Sequence, residues 1–516
     1  MLALANILSN EKRVAEAECF FRYAGLFAPD NTNVAITLAL ILDGAQRKAE
    51  AVAVLSRFET APLSDDRVLP LLLRLRAELC DWDGYQELYE KATDAVRRTP
   101  GAIEPFAALA LWDDPKIQHD AATASAVRYS MRKPIAIPRA VGDGRLRIGY
   151  LSGDFHQNAV ASLKAELFEL HDRSRFAVHA YAVGPDDNSA IYRRVASACE
   201  WFTPLLRAPA EKIAGQIAAD GIDVLVDLSG YTRHGRPDVL ALRPAPIQVN
   251  DGAAATMGAP FMDYILADRV VVSGDQASFY AEKLVRLAQP FQINDRQRPR
   301  PSADRSDFEL DDGKIVFCSF STPSNISPAL FMVWMRILAG VPESVLWLRG
   351  WSSEVSANLR RTATACGISA DRLVFAENCD YETHLSRYVV SDLALDTFGH
   401  GGHTTANDAL WMGCPFVTYT GKTFSARVGA SLLGAAELPE LVTSTPSEYE
   451  TKIVSLAREP GALRRLRARL EDMRDTCALF DSPTTVRQLE WAYQRMWDIH
   501  AGGRPPHAFD VPDDIS

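Results

Sequence analysis

Apolar positions at the start of the chain recur at helical spacing, and the set repeats at a fixed distance. Ala17, Phe21 and Ala24 fall on one helix face. Leu55 lies 34 residues beyond Phe21, flanked by Ala51 and Phe58, and Tyr89 lies 34 beyond that, with Tyr85 and Ala92. Ahead of the second and third sets, Ala35, Leu38, Ala39 and Leu42, then Leu69, Leu72 and Leu73, mark partner helices. A period of about 34 residues with small residues at helix crossings predicts tetratricopeptide-like pairs, here roughly two and a half of them. Such stacks form a curved surface that binds peptides or partner proteins. This domain is expected over residues 1–135.

The pattern changes after residues 130–145, SMRKPIAIPRAVGDGR, which read as a linker. LRIGYLSGDF is a strand ending at Ser152-Gly153-Asp154, and RFAVHAYAVG is another. IYRRVASACEWF and AEKIAGQIAADG are helices, and IDVLVDLSG is the continuous apolar run of a strand covered on both faces. A second break spans residues 294–313, after which the alternation restarts through KIVFCSFS, SVLWLRGW, RLVFAEN, LALDTF and PFVTYTG. The tail, ALRRLRARLEDMRD and TTVRQLEWAYQRMWDIHAG, is helical. The expected class is α/β, with two doubly wound lobes at 136–300 and 301–516 behind an all-α domain. In open α/β sheets the ligand lies at the carboxyl ends of the strands.

Composition narrows the function. The 516 residues carry 55 basic and 66 acidic side chains, a net charge of −11, which argues against tracking a nucleic-acid backbone. The eight cysteines form no CxxC pair, so neither a zinc site nor a disulfide scaffold is expected. The first residues lack the basic and long apolar regions of a signal peptide, and no run reaches the roughly 18 apolar residues of a membrane span. A cytoplasmic protein without a membrane span is the expectation.

The richest segment is LALDTFGHGGHTTANDALWMGCP, residues 393–415. A strand ends at Asp396, a loop carries Gly399, Gly401 and Gly402, and a helix begins near His403, Thr404 and Thr405. Glycines admit close backbone approach, and hydroxyls with free amides at a helix start suit phosphate. Asp408, one turn on, is placed to accept from ribose hydroxyls. Asp227 and Asp220, at opposite ends of a strand in the first lobe, are candidate bases or ordinary turn and cap residues.

GGHTTANDALWMGCPFVTYTGKTFSARVGASLL resembles the donor-nucleotide segment of the O-GlcNAc transferase (SPINDLY-like) family. LRIGYLSGDF, ALRPAPIQV, MDYILAD, YAEKLVRL and FMVWMRILAGVPESVLWL are similar to the same family in the same order, over residues 140–500. The resemblance implies a GT-B fold behind tetratricopeptide repeats. It also implies an inverting, metal-independent transfer of a sugar from a nucleotide donor to Ser or Thr of a protein, with no cofactor.

Residue by residue, the resemblance implies a nucleotide site of His384, Arg387, His403, Thr404, Thr405 and Asp408. Tyr381 stands where the family has a lysine, and Thr322 where it has a glutamine. On the catalytic side Asn158 replaces a family histidine, with His156 two residues before it, and Asn325 replaces the lysine that steadies the leaving diphosphate. By analogy with other lost charge-assisted contacts, that change costs about 10²–10³ in rate unless another cation such as Arg427, Lys422 or Arg349 substitutes. NDGAAAT takes the place of the loop beside the sugar, which puts Asp251 and Gly252 on the sugar and acceptor side.

The reading is a protein O-glycosyltransferase with a UDP-GlcNAc-like donor and an acceptor protein presented by the repeats. Two alternatives stay open. One is a catalytically silent nucleotide- or partner-binding homologue. The other is a donor with a single phosphate, such as a CMP-nonulosonic acid, which needs less positive charge opposite the leaving group.

Overall fold

The structure, a computed structural model, describes residues 13–59, 65–136, 144–252 and 254–515; residues 137–143 of the expected linker lie outside them. The chain begins as antiparallel helices. Val14–Phe27, Thr32–Gly44, Lys48–Ser56, Val68–Glu78 and Tyr85–Arg98 pack in sequence. Ala17, Phe21, Ala39, Leu42, Ala51, Leu55, Leu72 and Ala92 fill the space between them. Two shorter helices, Pro105–Leu111 and Pro115–Val127, close this region. Each starts with a proline at its first position, where the missing N–H costs nothing.

Two parallel sheets follow. The first holds β1 (Leu146–Ser152), β2 (Phe176–Ala182), β3 (Trp201–Pro204), β4 (Val224–Asp227), β5 (Ile247–Asn250), β6 (Tyr264–Asp268) and β7 (Lys283–Leu287). The second holds β8 (Ile315–Ser319), β9 (Ser344–Arg349), β10 (Leu373–Ala376), β11 (Leu393–Leu395), β12 (Phe416–Tyr419) and β13 (Val442–Thr443), in the order β10-β9-β8-β11-β12-β13. The central strands are buried along their whole length, as a sheet covered by helices on both faces requires. An all-helical region ahead of two Rossmann-like sheets is the arrangement expected from the pattern, and it matches the GT-B fold that the resemblance implies.

The tail divides in a way the pattern does not indicate. Helices Pro446–Arg458 and Ala462–Met473 pack on the second sheet. The last helix, Ser482–Ala501, crosses back and buries Val486, Leu489, Tyr493 and Met496 in the core of the first. A terminal strand, β14 (Phe509–Asp510), then pairs with β7, so the first sheet runs β14-β7-β6-β5-β4-β1-β2-β3. The residues after 481 thus pack with the first lobe, rather than with the second lobe to which the sequence reading assigned them. Among the described residues no helix is long and apolar enough to cross a membrane.

Candidate active site

Loops after the carboxyl ends of both sheets meet the helical region: Thr322, Asn325 and His400 of the second lobe, and Gly230, Tyr231 and Thr256 of the first, line hollows that Phe106 also lines. On the second lobe, Asp396 shapes the loop after β11. Its carboxylate accepts from the amides of Thr397 (2.8 Å) and Gly402 (2.6 Å) and from the Thr418 hydroxyl (2.6 Å). Burial still pushes its pKa up to about 6. A Cβ on Gly402 would lie 2.8 Å from Oγ1 of Thr405, so the loop closes this tightly only with glycine there.

The loop delivers His400 and His403 as a stacked pair, ring centroids 4.8 Å apart. Nε2 of His403 lies 3.3 Å from the Ser425 carbonyl, which marks it as the protonated ring nitrogen, while Nδ1 of His400 is buried without a partner. Burial holds both rings neutral, with pKa values lowered to about 3 for His400 and about 4 for His403. His403 immediately precedes the helix Thr404–Trp411 and supplies no side-chain cap, so Thr404 and Thr405 head it with their first amides uncapped.

Asp408 sits one turn in, 1% exposed. Its Oδ1 accepts from Nη1 of Arg298 (3.0 Å) and from the Tyr381 hydroxyl (2.8 Å). Arg298 also donates to the Asp295 carbonyl and to Asn294, and lies over the Trp411 ring. Sequence reasoning missed Arg298, because nothing in the linker sets it apart from Arg296 or Arg300. Tyr381 joins this cluster: its hydroxyl supplies a second donor to Asp408.

His384 packs edge-on against Phe320 and Tyr388, each at 5.4 Å, and burial, with Arg387 nearby, lowers its pKa to about 4. Arg387 points inward: it donates to the Glu377 carbonyl and lies over Phe320 and Trp347. Thr322 and Asn325 flank the short turn Pro323–Asn325, which packs on the helical region through Cys80. Thr322, Asn325 and His400 all line one cavity. Two of the candidate substitute cations have other partners. Arg427 donates to the Val270 carbonyl, and Arg349 lies over Trp351.

On the first lobe, Asn158 caps the helix Ala159–Leu170. Its Oδ1 accepts from the Val160 amide (3.1 Å) and its Nδ2 donates to Asp154 (3.2 Å). Nε2 of His156 is buried without a hydrogen bond, 3.9 Å from Oδ1 of Asp154, and its ring stands at right angles to that of His234. Asp251 accepts from Nζ of Lys164 (2.6 Å), and Gly252 lies against the backbone of Ser229 and Gly230. Asp227 accepts from the amides of Ser229 and Gly230, yet burial, with Asp251 and Asp154 nearby, raises its pKa to about 7. Asp220 sits beyond the amino end of β4, away from the cleft, and takes the Tyr181 hydroxyl. Buried Glu282 holds the loop between Asp251 and Met257 through Thr256, Met257 and Asn250; sequence reasoning missed it as well.

The helical region enters the site directly. Asp113 accepts from the amides of Lys422 (2.9 and 3.0 Å) and Thr423 (2.9 Å), just ahead of the helix Phe424–Ala435. A Cβ on Gly421 would fall 2.5 Å from Oδ2 of Asp113. Phe106 meets His400 edge-on at 6.3 Å.

The sequence of glycosyl transferase family 41 matches residues 118–302 and 300–489, which covers both lobes. The chain belongs to glycosyl transferase family 41. Within that family it is 32% identical over 459 residues to the probable UDP-N-acetylglucosamine–peptide N-acetylglucosaminyltransferase SEC of Arabidopsis thaliana, covering 84% of this chain and 47% of that protein. It is 27% identical over 563 residues to the corresponding transferase of Caenorhabditis elegans, covering 83% and 48%. The chain spans about half the length of these curated relatives. Its fold is similar to a mutant of the Thermobaculum terrenum O-GlcNAc transferase, with TM-score 0.77, 28% identity and 97% of each chain covered. Among the described residues of this family 41 member, no group of three or more His, Cys, Asp or Glu is placed to hold a metal ion.

Proposed function

We propose that the protein transfers a sugar from a nucleotide-sugar donor to a serine or threonine hydroxyl of an acceptor protein, inverting the anomeric carbon and using no metal ion. The relatives' names point to UDP-GlcNAc as the donor. The observation that carries the reading is the His400–Thr405 loop. It combines a tight glycine turn, two neutral histidines and an uncapped helix start, which is the chemistry that receives a phosphate, while the Asp396 carboxylate beneath the loop is engaged by the Thr397 and Gly402 amides.

In this reading the base packs beside His384, near Thr322 and Tyr381, with Arg387 bracing the helix from within. Both bonds to Asp408 fall on its Oδ1, so Oδ2 takes the ribose hydroxyl. The diphosphate rests on Thr404 and Thr405, with His403 beside it. The acceptor oxygen bonds to the anomeric carbon as the bond from that carbon to the phosphate oxygen breaks. The proton passes to Nε2 of His156, whose loop Asn158 steadies through Asp154. Asn325 donates a neutral hydrogen bond to the departing phosphate, and Asp251 and Gly252 border the sugar. Transition-state charge is met by oriented N–H and O–H groups.

Asn325 in place of a cation favours a second donor class, a nucleoside monophosphate sugar. The test is calorimetry with UDP, UDP-GlcNAc and CMP, followed by transfer of label from UDP-GlcNAc and a CMP-nonulosonic acid to co-expressed proteins. Binding of a nucleotide, with transfer lost in the double variant Thr404→Val/Thr405→Val, is the expected result. Absence of nucleotide binding overturns the transferase reading, and binding without transfer from any donor favours a silent homologue.

A further inference from the structure

A cavity of about 680 Å³ bordering the site lies between the helical region and the second lobe, within the roughly 300–1,000 Å³ of small-ligand sites. Its far wall is Thr322, Asn325 and His400. Its near wall is built from helices Thr32–Gly44, Val68–Glu78 and Pro105–Leu111 of the repeats.

That near wall is apolar and stepped. Leu40 and Phe106 stand 49% and 46% exposed into it, although both are large hydrophobic side chains. Small residues leave the room beside them: Ala107 and Ala110 on the helix of Phe106, with Gly101 ahead of it. The charged side chains on the rim are already matched. Arg74 pairs with Asp43 and Glu78, Arg67 with Asp65, and Arg128 with Glu104. An apolar guest gains the burial of Leu40 and Phe106 and leaves these pairs in place.

We propose that this trough is an acceptor subsite that takes an aliphatic or aromatic side chain of the acceptor polypeptide, close in sequence to the hydroxyl that receives the sugar. The inference rests on the protein-transferase reading, since only a polypeptide acceptor joins the trough to the cleft. Continuity decides the occupant: Phe106 touches His400 on one side and, with Gly230, Tyr231 and Thr256 of the first lobe, lines a second small hollow on the other. A segment lying over Phe106 therefore runs between the two lobes, where the reacting oxygen must arrive. Here the repeats read one side chain of the acceptor as well as bringing the protein near.

The test uses a synthetic peptide library with one fixed serine and degenerate flanking positions, passed over immobilised full-length protein saturated with UDP. Retained peptides are expected to be enriched in Leu, Ile, Val or Phe at one position relative to the serine. One well-buried aliphatic side chain corresponds to roughly ten- to hundred-fold in affinity. Ala110→Trp, which fills the trough from a half-exposed position, and Leu40→Asp, which charges it, should each abolish that enrichment. Thermal melting and UDP calorimetry check that both variants fold and bind nucleotide as the parent does. Retention without apolar enrichment, enrichment that survives both variants, or no retention overturns the proposal. Failure of the parent to bind UDP or any other nucleotide overturns the transferase reading instead, so the two failures are distinct.

Discussion

The strand ends of the two lobes face the same cleft with opposite chemistry. The first lobe gathers carboxylates: Asp154 after β1 and Asp227 closing β4, both buried, and Asp251 after β5, whose side chain is covered where it meets Lys164. Burial raises the pKa of each, and Lys164 offsets the rise only for Asp251. The second lobe gathers neutral rings and hydroxyls, and its two acids are tied up by donors, Asp396 by amides and a threonine, Asp408 by Arg298 and Tyr381. Burial raises the acids of both lobes, so the contrast lies in what surrounds them: the first lobe groups its carboxylates together, and the second surrounds its own with donors and neutral rings. Net charge over the whole chain hides this division, because it is set by what each group is bonded to.

The hardest way to break the contrast is to unpair the second lobe's acid. Arg298→Met leaves Asp408 as a buried charge with one neutral donor, and a loss of about 3–5 kcal/mol is expected in urea unfolding. Arg298→Met/Asp408→Leu should recover most of it.

Next come the opposite pH trends. Asp227 binds a proton more tightly folded than unfolded, so its contribution is complete at low pH and is lost as pH rises from about 4 to about 7. Asp227→Asn should flatten the stability curve there, by up to about 4 kcal/mol at its upper end. His384 is the reverse. Its pKa is depressed from 6.5 to about 4, so its contribution is present above 6.5 and lost as pH falls toward 4. His384→Phe should match the parent at pH 8 and exceed it increasingly below pH 6.5, as read by chemical denaturation at each pH.

A smaller effect tests the contact that docks the repeats. Asp113→Asn keeps the shape but loses the charge on the Lys422 and Thr423 amides. About 1.5 kcal/mol is expected, the lower end for a bond to a charged group, with faster hydrogen exchange confined to residues 421–425 and their neighbours. The smallest is Asn158→Ala, about 1 kcal/mol for a lost helix cap. A much larger fall in transfer than in stability would show that Asn158 acts on the chemistry through Asp154 and His156.

The fold class was readable because each layer repeats its own period. Helical spacing marked the all-helical region, and continuous apolar strands between amphipathic helices marked both lobes. The HTT loop was readable because glycines and hydroxyls cluster within a few residues. What escaped is long-range. Arg298 meets Asp408 across 110 residues, and Asp113 reaches Lys422 across 309. Neither residue type nor spacing announces such a pairing, which exists only once the lobes and repeats have docked. The path of the last helix escaped for the same reason: its apolar face fits either sheet, and the choice is made by Val486, Tyr493 and Met496 meeting the first. Asn158 is an intermediate case, since an asparagine ahead of AVASL carries a cap signal that the family comparison overshadowed.

That last helix has a mechanical consequence. Because the tail returns to the first lobe, the chain passes between lobes twice, and the two passages lie side by side. Ser482 donates to the Asn294 carbonyl, and Asn294 donates to that of Leu479. The two lobes are therefore joined by a doubled, cross-bonded strap rather than by a single strand of chain. Arg298, four residues along the same strap, bonds Asp408, so the connection between the lobes also holds that carboxylate in place.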